Sequence, residues 1–385
     1  YNAGSLTRQS NSLTHNYSLR IKDLNFLSSA FDLIIYDKKY TDIFHSKGFV
    51  DSRTILVNSQ TNLWFFNRAF QTNLFYKLSS ERTAKSEVVF VKVPIGQGNY
   101  IYIGDLNGNG IQDENEFQLV NFDGDYIKLL IPTDQLFPTT DLQTSANINI
   151  NPSKILNISQ RSVLKKIINN ISFDTYLAVN ERSKDPEQKN IYLLKFNKFQ
   201  NEINTITGSN IIQQDINLFE NNEYFAVRLR FIQRRSFNQY FSGDERLLNI
   251  ERSARLRLSF TSDISLQTDY VNKIDRNLAP SLSTRNRNIK GNSVIADLSY
   301  RPYKNVEVGF KAELSRNNDF FPINITQADI NIQNLRFSYS LENKGRLRIE
   351  IERNEAILNT SPFFVPYELT GGKAIGKSYL WTVSM

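Results

Sequence analysis

Residues 105–116 (DLNGNGIQDENE) carry oxygen-bearing side chains at the spacing of a twelve-residue calcium-binding loop. The predicted ligands, at loop positions 1, 3, 5, 7, 9 and 12, are Asp105, Asn107, Asn109, Ile111, Asp113 and Glu116. Ile111 would offer its backbone carbonyl, Asp113 would bind directly or through water, and Glu116 would bind with both oxygens. Gly110, at position 6, permits the sharp bend that such a loop needs. Because this set of hard oxygen donors suits Ca²⁺ better than Mg²⁺, we predict a structural calcium site, the alternative being an Asn/Gly-rich turn capped by acidic residues.

The residues on both sides of this loop are typical of strands. Residues 100–103 (YIYI) precede the loop and residues 117–120 (FQLV) follow it, whereas a calcium sensor places the loop between two helices. We therefore expect Ca²⁺ to order residues 94–131 as part of a β-connection.

Other candidate chemistry is weak. The chain has no Cys, which excludes disulfides, zinc-thiolate sites and a Cys nucleophile. His15 and His45 lie in polar, irregular stretches and are predicted to be surface or hydrogen-bonded imidazoles. The formal net charge is +7, but the basic residues are scattered singly, which argues against a nucleic-acid-binding arm. We predict that the protein is not an enzyme.

The elements that must position the loop are strands, because apolar residues recur at every second position through much of the chain. In residues 253–270, Leu256, Leu258 and Leu266 share one parity, while Arg255 and Arg257 share the other. A helix would distribute both sets around its axis. Tight turns are predicted near residues 262–263, 301–305 and 342–345, and long polar connections at 235–251, 272–292, 317–333 and 354–376.

Such an apolar face can be covered by a second sheet, by helices or by lipid. Strands with four or five apolar residues on one face match the ~9–11 residues that a tilted strand needs to cross a bilayer. Short turns at one end and long loops at the other are typical of outer-membrane barrels. We therefore predict an all-β fold, an antiparallel transmembrane β-barrel with short periplasmic turns, long extracellular loops and a calcium-binding β-insertion. The alternative is a soluble extracellular β-sandwich that binds glycan or protein through its long loops.

This barrel prediction assigns a direction to individual side chains. Residues predicted to face lipid are Phe225, Leu258, Phe260, Val308, Phe310, Phe337 and Ile349. Residues predicted to line the interior are Arg228, Arg255, Arg257, Arg336 and Arg348. The predicted organisation is N-terminal barrel strands in residues 1–93, the inserted calcium segment on the extracellular side in 94–142, and further strands and loops in 143–385. Because one-parity apolar residues continue to the last position, we expect the barrel to be incomplete at its C-terminus.

Several stretches resemble segments of large, mostly uncharacterised surface and outer-membrane proteins of the Bacteroidota. They are residues 93–100 (VPIGQGNY), 105–117, 132–134 (PTD) and 366–373 (PYELTGGK), and the resemblance extends over residues 50–385. It implies a barrel in the outer membrane of a Gram-negative, Bacteroidota-like bacterium, with outer-membrane lipid and other outer-membrane or periplasmic proteins as partners and no nucleic acid. The expected role is non-enzymatic: a pore, a scaffold or a component of a surface transport or secretion assembly with structural Ca²⁺.

Overall fold

The computed structural model describes residues 7–46, 51–106, 108, 110–155, 167–240, 243–279, 285–341, 345–360 and 365–384. Nearly all regular structure is strand. The strands of the first half are β1 (Ser10–Leu24), β2 (Leu27–Tyr40), β3 (Ser52–Phe65), β4 (Phe70–Lys92), β5 (Gly98–Tyr102), β6 (Phe117–Gly124), β7 (Tyr126–Ile150), β8 (Ile171–Ser183) and β9 (Thr205–Leu218). Those of the second half are β10 (Phe225–Tyr240), β11 (Gly243–Ser259), β12 (Ile264–Leu278), β13 (Arg287–Tyr303), β14 (Val306–Asp319), β15 (Thr326–Leu341), β16 (Gly345–Leu358) and β17 (Gly376–Ser384).

Helical structure is confined to short connecting segments. The helices are α1 (Asp42–His45), α2 (Lys189–Tyr192) and α3 (Tyr367–Thr370), with 3-10 turns at Glu114–Glu116, Pro152–Lys154 and Phe196–Lys198. Residues 167–169, at the end of the connection between β7 and β8, are also helical. In the described part of the chain, no helix has the length and apolar character needed to cross a membrane.

Fifteen strands form one antiparallel meander, in which each strand pairs with the next along the chain once the inserted β5–β6 hairpin is set aside. The predicted all-β antiparallel fold is confirmed. The sheet curls enough for Ser86 of β4 to pair with Tyr240 of β10, although three strands separate them in the meander. Among the described residues, β1 pairs only with β2 and β17 only with β16, so these two strands are the edges of the sheet. No second sheet covers either face in the part of the chain described, so the sandwich alternative is wrong.

The connections differ in length between the two ends of the sheet. At one end, called the short-turn end, the connections are residues 25–26, 66–69, 151–170, 219–224, 260–263, 304–305 and 342–344. At the other, called the long-loop end, they are residues 41–51, 93–125, 184–204, 241–242, 279–286, 320–325 and 359–375. The predicted asymmetry is present, with exceptions at 151–170 and 241–242. The predicted tight turn near 262–263 is confirmed, and the one at 301–305 is shorter than predicted because β13 continues to Tyr303. The third, at 342–345, lies mostly outside the described residues.

The predicted long connections were too long. Residues 272–292, 317–333 and 235–251 lie mostly in strands, and β10 and β11 are joined by residues 241–242 alone. The error has a physical reason. Near the long-loop end, polar side chains such as Asp275, Asn277 and Asp319 lie on strands and are buried, so a polar composition there does not indicate a loop.

The inserted hairpin lies between β4 and β7, at the long-loop end. Its strands β5 and β6 pair with each other, and Tyr100 of β5 also pairs with Tyr126 of β7. Strand β7 pairs with β4 from Tyr126 onward, so residues 126–142 of the predicted 94–142 segment belong to the main sheet. The residues inserted between these two strands are 93–125.

Candidate functional site

The two faces of the sheet have opposite chemistry, and the pairing register defines them. On one face, called the apolar face, Leu229 pairs with Ala254, and the same row continues through Tyr270 and Val294. The other face is called the polar face. All the residues predicted to face lipid except Phe260, which lies in a turn, share the apolar face, and the five predicted interior arginines share the polar face.

Exposure is inverted relative to a water-soluble protein. On the apolar face, Leu256 is 38% exposed and Leu314 is 59% exposed. On the polar face, Asp215, Asp269 and Asp275 are 6%, 7% and 5% exposed. A soluble sheet buries its apolar face and leaves its polar face in water. The polar face of this sheet is therefore its enclosed side.

Ion pairs between neighbouring strands compensate the buried charges of the polar face. Arg230 binds Asp215 at 2.6 Å, and Arg255 binds Asp269 at 2.5 Å. Arg336, from a strand further along the sheet, binds Asp297 at 2.5 Å. Because a buried carboxylate without a partner is strongly unfavourable, these pairs permit charge on the enclosed side.

Exposed aromatic side chains gather at the short-turn end. They are Phe26, Phe65, Phe66, Tyr224, Phe225, Phe260, Tyr300 and Tyr303, all within a few residues of a short-turn connection. Aromatic residues with one apolar and one hydrated side concentrate at membrane–water interfaces. These residues, called the aromatic rim, mark the boundary of the apolar face at the short-turn end.

One connection covers part of the apolar face near the long-loop end. In segment 184–204, Ile191 of α2 is fully buried against Leu78 and Leu142, and the Tyr76 hydroxyl donates to the Tyr192 carbonyl at 3.0 Å. This covered area is separate from the exposed rows of β10–β14.

The inserted hairpin is held by an aromatic cluster at its base. Phe117 is fully buried and stacks on Phe90 of β4 with ring centroids 3.8 Å apart. The ring of Tyr126 of β7 meets the Phe117 ring edge-on with centroids 5.0 Å apart, and the ring of Tyr102 of β5 lies 5.2 Å from the Phe117 ring. The cluster fixes the strand that follows the calcium-type loop, and with it the position of the loop.

The loop itself is closed by its first and last predicted ligands. The Asp105 carboxylate accepts hydrogen bonds from the backbone N–H groups of Gly108 at 2.7 Å and Gly110 at 2.8 Å. Both glycines have positive φ, +70° and +74°, which is the backbone conformation that glycine adopts without strain. The fully buried Glu116 carboxylate accepts from Leu106 N at 2.9 Å and from Asp113 N at 3.2 Å.

The carboxylates at loop positions 1 and 12, which are the residue types that Ca²⁺ requires there, each accept backbone N–H groups of the loop. Asn107 and Asn109 lie outside the described residues. Ile111 is exposed, and Asp113 immediately precedes the 3-10 turn. Within the residues described, no three His, Asp or Glu side chains are grouped closely enough to hold a metal ion. The calcium site therefore stays a prediction.

A network of buried ion pairs joins the hairpin to the polar face. Glu114, inside the calcium-type loop, binds Arg285 at 2.7 Å and Lys128 of β7 at 3.0 Å. Arg285 also binds Glu245 of β11 at 3.0 Å. The hairpin is thereby joined to β7 directly and to β11 through Arg285.

The connection 359–375 enters the same space. Glu368 of α3 binds Arg287 at 2.8 Å, and the Asn317 amide donates to the Leu369 carbonyl at 2.7 Å. Between the hairpin and α3 remains a cavity of about 220 Å³, with Tyr367 among its lining residues. This is below the ~300–1,000 Å³ of typical small-molecule sites. The hairpin and α3, together called the plug, therefore both lie against the polar face at its long-loop end.

The two histidines are placed as predicted, at the surface, and one of them is hydrogen bonded. His45 Nε2 lies 2.8 Å from Asp51 Oδ1 in an exposed loop, and His15 stacks on Tyr17 with centroids 6.3 Å apart. Sequence reasoning missed the partnership of Glu114 with Arg285. The only indication of this ion pair in the sequence was that Glu114 is acidic although its loop position supplies no calcium ligand.

No known protein-family model matches this sequence, and no curated protein matches it. Among solved structures, OmpT, an outer membrane protein of Vibrio cholerae, is 10% identical over 90% of this chain and 85% of its own, with a TM-score of 0.33. A loop L8 deletion mutant of OmpT is 9% identical over 91% and 93%, with a TM-score of 0.31. The ferric-catecholate import receptor Fiu from E. coli K12 is 12% identical over 98% of this chain and 64% of its own, with a TM-score of 0.35. Scores this low establish no common fold, so the conclusions below rest on register, burial and charge.

Proposed function

We propose that this chain spans the outer membrane of a Gram-negative bacterium as strands of a β-barrel, and that it acts there as a pore, scaffold or component of a surface assembly. The observation that supports this most is the inverted exposure: Leu256 is 38% exposed on the apolar face while Asp269, on the polar face of the neighbouring strand, is 7% exposed. Apolar side chains in a continuous outward layer require a hydrocarbon environment.

The dimensions agree with this proposal. Most strands have 13 to 17 residues, and a tilted strand crosses the bilayer core with ~9–11. The remaining residues extend beyond the core at the long-loop end, where both faces become polar. The aromatic rim would lie in the periplasmic interface and the long loops outside the cell.

The plug argues for a gated or structural barrel over an open channel. Hairpin 93–125 and α3 both enter the enclosed space from the long-loop end, and ion pairs fix each to the polar face. Solute passage would require these pairs to break. The absence of enzymatic activity stays a prediction.

Detergent dependence tests the membrane proposal directly. The purified chain is expected to keep its β-sheet circular dichroism and stay monodisperse in detergent or lipid nanodiscs, and to aggregate on detergent removal. A folded, monomeric protein in plain buffer would overturn the proposal, because exposed hydrocarbon-facing rows would not tolerate water.

For the inserted hairpin we propose a structural Ca²⁺ ion bound by Asp105, Asn107, Asn109, Ile111, Asp113 and Glu116. Support comes from the buried Glu116 carboxylate, which reaches the backbone at both ends of the loop, and from glycine at the bend. The ion would neutralise the carboxylates of the loop and so rigidify the plug.

Calorimetry with Ca²⁺ and Mg²⁺ on the detergent-solubilised protein tests this site. Glu116→Gln should weaken Ca²⁺ binding at least about tenfold, because the loop loses its bidentate anionic ligand. Asp123→Asn, on the same hairpin but outside the loop, is the matched control and should bind normally. Chelation should also increase protease cleavage within residues 94–131. No Ca²⁺ binding by the native protein, or equal binding by the Glu116 variant, would contradict the site.

A further inference from the structure

We propose that the apolar face carries, at its long-loop margin, a binding surface for the phosphate groups of membrane lipid. It consists of five exposed cations on consecutive strands β10 to β14, called the cationic patch: Arg235, Arg252, Arg276, Lys290 and Arg316. The inference rests on the proposed membrane-spanning function and deepens it by assigning a lipid headgroup to particular side chains.

The register places these cations close together. Arg235 of β10 and Arg276 of β12 both pair with Leu248 of β11, so they lie in one row, two strands apart. Two strand spacings are roughly 10 Å. Long side chains at that separation reach the same anionic group or two neighbouring ones.

A second row runs parallel to the first. Arg252 pairs with Asn272, Asn272 with Asn292, and Asn292 with Arg316. The Asn272 amide donates to Asn292 at 2.9 Å, and the Tyr270 hydroxyl donates to the same Asn292 oxygen at 3.0 Å. Tyr270 therefore links this row to the apolar band beneath it.

Most of the positive charge of the cationic patch is not neutralised by carboxylates of the described residues. Among the ion pairs of the described residues, Arg316 binds Asp329 at 2.7 Å, whereas none involves Arg235, Arg252, Arg276 or Lys290. On the polar face, by contrast, Arg230, Arg255 and Arg287 each bind a carboxylate on a neighbouring strand. The four cations without a carboxylate partner give the margin a net positive charge that an external anion can neutralise.

The patch also lies at the right height. Arg316 follows Leu314 by two residues, and Arg276 follows Ile274 of the same face by two. At about 2.3 Å of rise along the membrane normal per tilted residue, an interval of two residues places each cation roughly 5 Å above the apolar side chain that precedes it. The headgroup layer occupies about this distance beyond the hydrocarbon core.

A lipid phosphate fits this arrangement better than other anions do. Guanidinium groups bind phosphate oxygens in a bidentate manner, and the acyl chains of the same molecule would continue onto Leu229, Val294 and Leu314. A free phosphate would gain nothing from that continuity. The surface therefore selects a molecule with phosphate and hydrocarbon parts, in the leaflet that faces the long loops.

The test compares three forms of the full chain in detergent: native, a patch variant (Arg252→Gln, Arg276→Gln, Lys290→Gln) and a control with the same charge change at the short-turn end (Arg68→Gln, Lys154→Gln, Lys304→Gln). Each is titrated with diphosphorylated lipid A, with its dephosphorylated form, and with inorganic phosphate, and bound lipid is counted by native mass spectrometry. Each cation near a lipid surface contributes about a fivefold change in binding, so the patch variant should bind at least about tenfold more weakly.

The native and control proteins should bind diphosphorylated lipid A equally, and inorganic phosphate should not compete. Equal lipid binding by all three forms, or equal loss in patch variant and control, would overturn the proposal and leave the patch to an acidic protein surface. Competition by millimolar inorganic phosphate would show a simple anion site instead. A chain that is folded and monomeric without detergent would refute the membrane proposal itself, so the two failures are distinguishable.

Discussion

Leu229→Arg tests the lipid-facing assignment at its most sensitive point. Leu229 is 42% exposed on the apolar face of β10, between Ile216 and Ala254 on the neighbouring strands. It lies four residues from Phe225, at the start of the strand beside the aromatic rim. With a rise of about 2.3 Å per tilted residue, its depth is roughly 10 Å in an apolar band ~25 Å tall, which places it close to the midplane.

An arginine at the midplane of a barrel costs about 2–4 kcal/mol, which is about 30- to 700-fold in the folding equilibrium constant. At an exposed, water-facing position the same change would stay within about 0.5 kcal/mol. The two environments therefore differ by far more than the error of an unfolding titration.

The matched control is Leu278→Arg. Leu278 is 47% exposed on the same face but ends β12 at the long-loop end, outside the apolar band. Reversible urea unfolding in phospholipid vesicles, followed by tryptophan fluorescence, gives both free energies. We expect a loss of about 2–4 kcal/mol for Leu229→Arg and at most about 1 kcal/mol for Leu278→Arg. Equal effects of the two substitutions would refute the assignment of this face to lipid.

Three further predictions concern the plug, the two tryptophans and an acidic loop. Arg285→Gln removes the cation shared by the buried Glu114 and Glu245 carboxylates, so it should destabilise the hairpin by up to about 3–5 kcal/mol and raise its hydrogen exchange; unchanged protection would contradict the plug. Brominated lipids should quench the fluorescence of Trp381 more than that of Trp64, which single-tryptophan variants would show. Trp381 is 68% exposed on the apolar face, whereas the Trp64 indole N–H donates to a turn carbonyl at 2.8 Å. Stronger quenching of Trp64 would contradict the face assignment. The backbone N–H of Tyr40 donates to the Asp51 carboxylate and lowers its pKa. This contact therefore stabilises loop 41–51 at pH values above the ordinary Asp pKa, and it is lost as the pH falls below about 4. Exchange of the Tyr40 amide, corrected for its intrinsic rate, should rise on acidification in the native protein and be insensitive to pH in Asp51→Ala.

The direction of the side chains on the strands could be predicted from the sequence. Alternation with a period of two is a local property, since successive residues of any strand point to opposite faces. Leu256 and Arg257 were therefore assigned to the correct faces without knowledge of their neighbours. The spacing of glycine and carboxylates in residues 105–116 was also informative, because a closed twelve-residue loop depends on its own sequence.

The length of the connections could not be predicted in this way. Asp275 and Asn277 look like loop residues because they are polar, yet both are buried on β12. Asp275 is neutralised by Arg287, at 2.7 Å on the next strand, and Asn277 donates to Glu245 at 2.9 Å. Burial of a polar residue depends on whether a partner faces it, and composition does not contain that information.

By itself, then, the sequence determined the strand periodicity, the chemistry of each face and the position of the calcium-type loop. Only the tertiary structure decided that the hairpin and α3 enter the enclosed space, that Glu114 meets Arg285 there, and that four cations on the outer margin have no carboxylate partner among the described residues. The physical reason is the distance along the chain over which each feature arises. Alternation arises between adjacent residues, whereas an ion pair or an uncompensated charge depends on segments that the curled sheet brings together from distant parts of the chain.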